Sequence, residues 1–180
     1  MLKVEIRRPR IEETEELNQF FRTVITDTFK REGLAELIED CEAEIDSKNK
    51  YLKMDFESSG QKRYFLIALA QNKIIGTIAY GMANELIQKC TNGELGNMVE
   101  IGTVYVHPDY QRQGVGNTLL AEMYQTLQAR GIQAFCLDSG YKTAQRIWKK
   151  KFGEPEYFMK DYWGQGQDHM IWKQPVRGVY

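Results

Sequence analysis

Apolar residues recur along the chain with a period that shifts from about 3.6 to 2 and back, and those shifts lay out the elements. After a short strand candidate at 4–8, Leu17, Phe20, Phe21, Val24, Ile25 and Thr28 fall at helical spacing. Glu12, Glu13, Glu15 and Glu16 open that helix, Lys30 and Arg31 close it and Gly33 stops it, a charge order that suits the helix dipole. Leu34, Leu37, Ile38, Cys41 and Ile45 predict a second helix, and the polar stretch 46–63 reads as a loop with room for a helical turn.

The period then becomes 2. Residues 64–70 and 74–80 are rich in branched and aromatic side chains, with Gln71-Asn72-Lys73 between them as a turn, and they predict a hairpin. A polar connection, 84–96, leads to a strand at 98–106 that ends at His107-Pro108, because proline cannot extend a ladder. Val115, Leu119, Met123 and Leu127 then stand four apart in a helix over 114–130, capped by Gly131. A short apolar run, 132–137, precedes a helix with Ala144, Ile147, Trp148 and Phe152 on one face, ended by Gly153-Glu154-Pro155. Two late strands, 156–163 and 169–173, are joined by Gly164-Gln165-Gly166-Gln167. The order is β-α-α-β-β-β-α-β-α-β-β without internal repeat, and 180 residues suit one domain over 1–180.

Composition narrows the function classes. With 42% hydrophobic and 27% charged residues the chain reads as globular and not disordered. No apolar run approaches the roughly 20 residues of a membrane span, and the opening MLKVEIRRPR turns charged too soon for a signal peptide, so a cytoplasmic protein is expected. Cys41, Cys90 and Cys136 stand far apart and predict buried or inert thiols, while His107 and His169 are too few and too separated for a metal cluster. A net charge of −1 offers no general attraction to nucleic acid.

Generic patterning stops at Val104-Tyr105-Val106-His107-Pro108-Asp109-Tyr110-Gln111-Arg112-Gln113-Gly114-Val115-Gly116, which reads as strand, proline stop, polar turn and two glycines opening a helix. Such a turn exposes peptide N–H groups that have no intrahelical partner, at the positive end of the helix dipole, and so suits a pyrophosphate. Gly114 and Gly116 carry no Cβ to hold phosphates away, and Arg112 adds a charge at the mouth. A P-loop requires Lys-Ser or Lys-Thr after the second glycine, where Asn117-Thr118 stands; a dinucleotide fingerprint requires a third glycine near Leu119. The plainer alternative is a glycine-capped turn with a solvated arginine.

The run Gln111-x-x-Gly114-x-Gly116 after a Val-x-Val-His-Pro strand resembles the coenzyme A motif of the GNAT superfamily of N-acetyltransferases, and the element order resembles that fold along essentially the whole chain. The resemblance implies a mixed α/β fold: a central, mostly antiparallel twisted sheet with a splayed parallel strand pair, flanked by helices. It implies acetyl-CoA as co-substrate and no metal. It places the pyrophosphate on Gln111, Arg112, Gln113, Gly114, Val115, Gly116 and Asn117, and the pantetheine along Val104, Tyr105 and Val106. A small-molecule or peptide amine is the implied acceptor, with homodimers common among members.

Attack by an amine, whose pKa lies near 10, profits from a base. Glu100 matches the position of the glutamate that serves as base in the histone-type branch of the family; the alternative is a strand-end glutamate that is solvated or paired with a cation. Many members carry a tyrosine acid in a pattern resembling Asn-x-x-Ala-x-x-Phe-Tyr. Here the stretch from Tyr141 to Trp148 keeps Ala144, has Tyr141 in place of asparagine and puts Trp148 where the acid would stand. Trp148 then packs on the cofactor arm or belongs to the core. The proton for the thiolate can come from Tyr141, Tyr157, Tyr162 or water, or the thiolate leaves unassisted. That gap keeps a second reading open, a coenzyme A-binding sensor or scaffold without turnover. Glu36, Glu39, Asp40, Glu42 and Glu44, with Tyr162 and Trp163, are candidate contacts for a cationic acceptor, or else a solvated acidic helix face.

Overall fold

The computed structural model describes residues 1–177. Helix α1 (Thr14–Arg31) forms on the predicted stripe and buries Leu17, Phe20, Phe21, Val24, Ile25 and Phe29. Helix α2 (Ile38–Ser58) corrects the predicted loop at 46–63, for it runs through most of that stretch. Its inward stripe holds Ile45, Lys48, Leu52 and Asp55, and the two polar members hide the helical period from a reading of apolar residues alone. Ser59 and Gly60 end the helix in left-handed conformations, at φ 50° and 77°.

Seven strands form one sheet in the order β1 (Glu5–Arg7), β2 (Arg63–Ala70), β3 (Lys73–Met82), β4 (Val99–Val106), β5 (Ala134–Ser139), β7 (His169–Pro175) and β6 (Tyr157–Met159). Every neighbouring pair is antiparallel except β4 with β5. Alternation along β2 sends Phe65, Ile67 and Leu69 to the α1/α2 face. Leu66 and Ala68 go to the other face, where they join Ile75, Ile78, Ile101, Phe135, Leu137 and Trp172 beneath α4 (Val115–Ala129). Helix α5 (Lys142–Phe152) lies on that same side and contributes Trp148 and Phe152 to its edge.

Three boundaries depart from the sequence pattern. The polar connection 84–96 holds a short helix, α3 (Glu85–Cys90), started by Asn84, whose side-chain oxygen accepts from the Ile87 amide at 2.8 Å. The strand expected at 156–163 is only β6, because Asp168 and Asp161 accept from the amides of Asp161 and Gly166 and fold the rest into a turn. On α5, Ile147 is 48% exposed and only Gln145 is buried, so the expected apolar face is partly open.

Asp55 ties these layers together. It is fully buried, accepts from two Arg8 nitrogens at 2.5 and 2.7 Å and from the Phe65 amide at 2.6 Å, and so joins α2 to the start of β2. Removing one partner of such a pair leaves an uncompensated group inside the protein. Asp55→Ala is expected to lower stability by about 3 kcal/mol, measured by urea unfolding, the low end of the range because Arg8 reaches solvent.

Candidate active site

Strands β4 and β5 pair only at Val99 with Phe135 and at Glu100 with Cys136. Past that rung β5 stays laddered to β7 as far as Ser139, and β4 stays laddered to β3, so the two separate and each keeps one open edge. A bulge in β4 accompanies the parting: Thr77 opposes Tyr105 while Ala79 opposes Gly102, which leaves Ile78 facing both Thr103 and Val104. Thr103 takes φ 52°, a strained conformation for a β-branched residue, and its carbonyl accepts from the Thr77 hydroxyl at 2.8 Å. Bulges bend and twist the strand that carries them. His107 N donates to Ile75 O at 2.8 Å, so by alternation the Tyr105 amide also faces β3, while the amides of Val104 and Val106 face the gap.

At the end of β4 the chain turns into α4. Arg112 and Gly114 are left-handed, at φ 62° and 84°. The first intrahelical bond runs from Thr118 N to Gly114 O at 3.0 Å, so the amides of Val115, Gly116 and Asn117 precede it and have no partner within the helix. A Cβ at Gly114 would meet nothing within 4 Å, and one at Gly116 only Val106 Cγ2 at 3.8 Å. Packing therefore does not demand the bare surface at Gly116, which leaves the neighbouring amides open to an approaching group. Gln111 braces the turn, accepting from Arg31 at 2.6 Å and donating to Val106 O at 3.1 Å, and Gln113 donates to Asp109 O at 3.3 Å. Val115 is buried as the anchor, and Lys151 of α5 bonds to Asn117. Peptide donors, a helix N-terminus and the cations Arg31, Arg112 and Lys151 fit a coenzyme A diphosphate.

Glu100 sits on the last paired rung, 3% exposed, with Arg63 NH1 at 3.2 Å and Asn84 Nδ2 at 2.7 Å. Burial, and then the charge of Asp138, pushes its carboxyl up to about 7 against the pull of Arg63. Asp138 in turn bonds His169 Nε2 at 2.9 Å, and Trp163 Nε1 donates to His169 Nδ1 at 3.2 Å. An indole only donates, so Nδ1 is the acceptor and Nε2–H points at Asp138. Arg63, Asn84, Asp138 and His169 escaped the sequence reading. Arg63 alone left a signal there, a cation heading a run whose alternate positions, Phe65, Ile67 and Leu69, are core.

The remaining candidates divide. Tyr105 lies on the α2 side; its hydroxyl donates to Glu44 at 3.3 Å, and burial, then Glu44, raises its phenol well above the ordinary range. Tyr141 packs edge-on against Phe29 at 5.9 Å, and burial followed by nearby carboxylates raises its phenol as well. Trp148 stacks on Phe152 at 5.6 Å, on the α4 side of the sheet. Tyr157 bonds Glu94, and Tyr162 is partly exposed. Glu36, Glu39, Asp40 and Glu42 face solvent, and only Glu44 turns toward Tyr105 and Lys48. Cys136 is buried beside Glu100, its thiol pushed up to about 12 by burial, as an inert thiol should be. Among the described residues no group of three or more His, Cys, Asp or Glu is placed to hold a metal ion, and no helix is long and apolar enough to cross a membrane.

A mixed sheet parted between two parallel strands, with a phosphate cradle at the mouth of the gap, defines an acyl-coenzyme A-dependent acyltransferase. The model of the acetyltransferase (GNAT) family matches residues 28–153, and the chain belongs to that family. Among solved structures it is similar to the PaiA N-acetyltransferase of Thermoplasma acidophilum in complex with coenzyme A, at 21% identity and a TM-score of 0.69 over 97% of this chain and 99% of that one. It is also similar to the ribosomal-protein-S18-alanine N-acetyltransferase of Escherichia coli, at 14% identity and a TM-score of 0.62 over 99% and 97% of the two chains. These likenesses describe the fold. No curated protein matches the chain.

Two expected outcomes follow from this geometry. Gly116→Ala should leave unfolding free energy within about 0.5 kcal/mol yet weaken coenzyme A at least tenfold, about 1.4 kcal/mol by calorimetry, with Gly116→Asp weaker still. Glu100, raised from an ordinary 4.5 to about 7, takes up a proton on folding, so its contribution to stability is lost as pH rises through that window. Glu100→Gln should remove that part of the slope from stability measured against pH.

Proposed function

We propose that this protein transfers the acetyl group of acetyl-CoA to a primary amine by direct attack on the thioester, with Glu100 as the base. The observation that carries the reading is a buried carboxyl on the last rung before β4 and β5 part, raised to about 7 and within one strand of open peptide donors. Bound acetyl-CoA supplies a thioester carbonyl open to attack. The amides from Arg112 to Asn117 hold the diphosphate, and those of Val104 and Val106 align the pantetheine and polarise the carbonyl.

Amine pKa values near 10 mean that an acceptor arrives protonated. A base near 7 is ionised in a useful fraction at neutral pH and still strong enough to take the proton. Glu44, Glu100 and Asp138 make this side of the sheet favourable to a cation, which supports a small-molecule or peptide amine over a nucleic acid or a membrane surface. Proton release to the leaving thiolate is a different matter. A thiol titrates near 8.5 and a phenol near 10, and Tyr141 is raised further still. Its hydroxyl can therefore donate a hydrogen bond but not the proton, which the thiolate, with a pKa above neutral pH, takes from bulk solvent after it leaves. Trp148 flanks the cofactor arm as an apolar wall.

With a panel of amines and acetyl-CoA, free thiol should appear faster than in the amine-free control; a chain that only binds the coenzyme shows no such difference. Glu100→Gln should lower kcat/KM by about 10²–10⁴ and abolish the acid limb near pH 7, part of the rate returning at higher pH. An unchanged profile removes Glu100 from the role.

A further inference from the structure

The register places Arg63, Gly81 and Glu100 in one row across β2, β3 and β4. Neighbouring strands lie about 4.8 Å apart, so Arg63 reaches Glu100 only by lying over β3. It does so at Gly81, where a Cβ would stand 2.7 Å from both Cζ and Nε of the guanidinium. No other residue leaves that path open. From above, the Tyr51 ring covers the guanidinium at 4.0 Å. The arginine is 5% exposed, its NH1 meets Glu100, and its Nε is buried without a hydrogen-bond partner. A buried donor without a partner is costly, and the protein carries that cost where the guanidinium crosses the glycine.

We infer that Arg63 and Gly81 act together as a positioning pair for Glu100: the guanidinium, laid on a glycine floor, fixes the carboxylate on the last rung before the strands part. The pair deepens the role proposed for Glu100 and rests on it. Other groups also face that carboxyl. Lys48 and Tyr51 come from α2, Asn84 from the start of α3, and Cys136 and Asp138 from β5, with His169 of β7 behind Asp138. Lys48 is engaged with Glu44, and Asp138 repels, so Arg63 is the cation in direct contact with Glu100.

The test follows the Glu100 carboxyl itself by carbon-13 NMR titration, its signal assigned by its loss in Glu100→Gln, alongside kcat/KM against pH. Arg63→Met should move the midpoint upward by at least about one pH unit. Gly81→Ala should move it the same way although the arginine is still present, because the methyl group drives the guanidinium off its floor. Arg63→Lys should restore part of the shift. A midpoint unmoved in Arg63→Met and Gly81→Ala, with coenzyme A affinity retained, overturns the inference; should Gly81→Ala fail to fold, Arg63→Met and Arg63→Lys decide alone. If the midpoint moves while the kcat/KM limb stays in place, the pair stands and Glu100 loses its role as base.

Discussion

Strands β4 and β5 part after two paired rungs, and the candidate site is built in the gap between them. Buried peptide groups must find partners, and β4 past Glu100 leaves the amides of Val104 and Val106 without a strand to meet. The strands do not collapse together because each is held from outside, β4 by β3 and β5 by β7. The Thr103 bulge adds bend at the place where the gap must open, and its strained backbone is tied down by Thr77. What results is a strand edge with open amides, leading to a helix N-terminus whose first amides have no partner within the helix.

Charge is divided unevenly around that fork. At the turn into α4 lie open peptide donors and the cations Arg112, Arg31 and Lys151, with Arg31 reaching in from the end of α1. On the α2 side lie Glu100, Asp138 and Glu44, with Arg63 and Lys48 keeping the carboxylates from repelling one another outright. The scaffold is continuous with this arrangement, since Asp55 fixes the amide of Phe65, two residues from Arg63 on β2. The anchor at Phe65 and the arginine that meets Glu100 thus share one strand.

Local features were legible in the sequence, and long-range ones were not. The turn from Gln111 to Gly116 announced itself because glycine spacing, a proline stop and helix periodicity all act within a dozen residues. The hairpin, α1 and α4 were legible for the same reason. Helix α2 past Asp46 was not, since Lys48 and Asp55 occupy its buried stripe, and their partners, Glu44 and Arg8, give no periodic signal. The bulge escaped because one extra residue leaves an alternating pattern still looking like a strand. Glu100 was singled out by family resemblance, whereas Arg63, Asn84, Asp138 and His169 converge on it from four elements that only the folded register brings together.

A crystal structure with coenzyme A bound bears most directly on the parted strands. The pantetheine arm should lie along β4, bonded to the amides of Val104 and Val106, with the diphosphate on the amides between Arg112 and Asn117. An arm running elsewhere on the surface, with β4 and β5 still parted beside it, would contradict the reading.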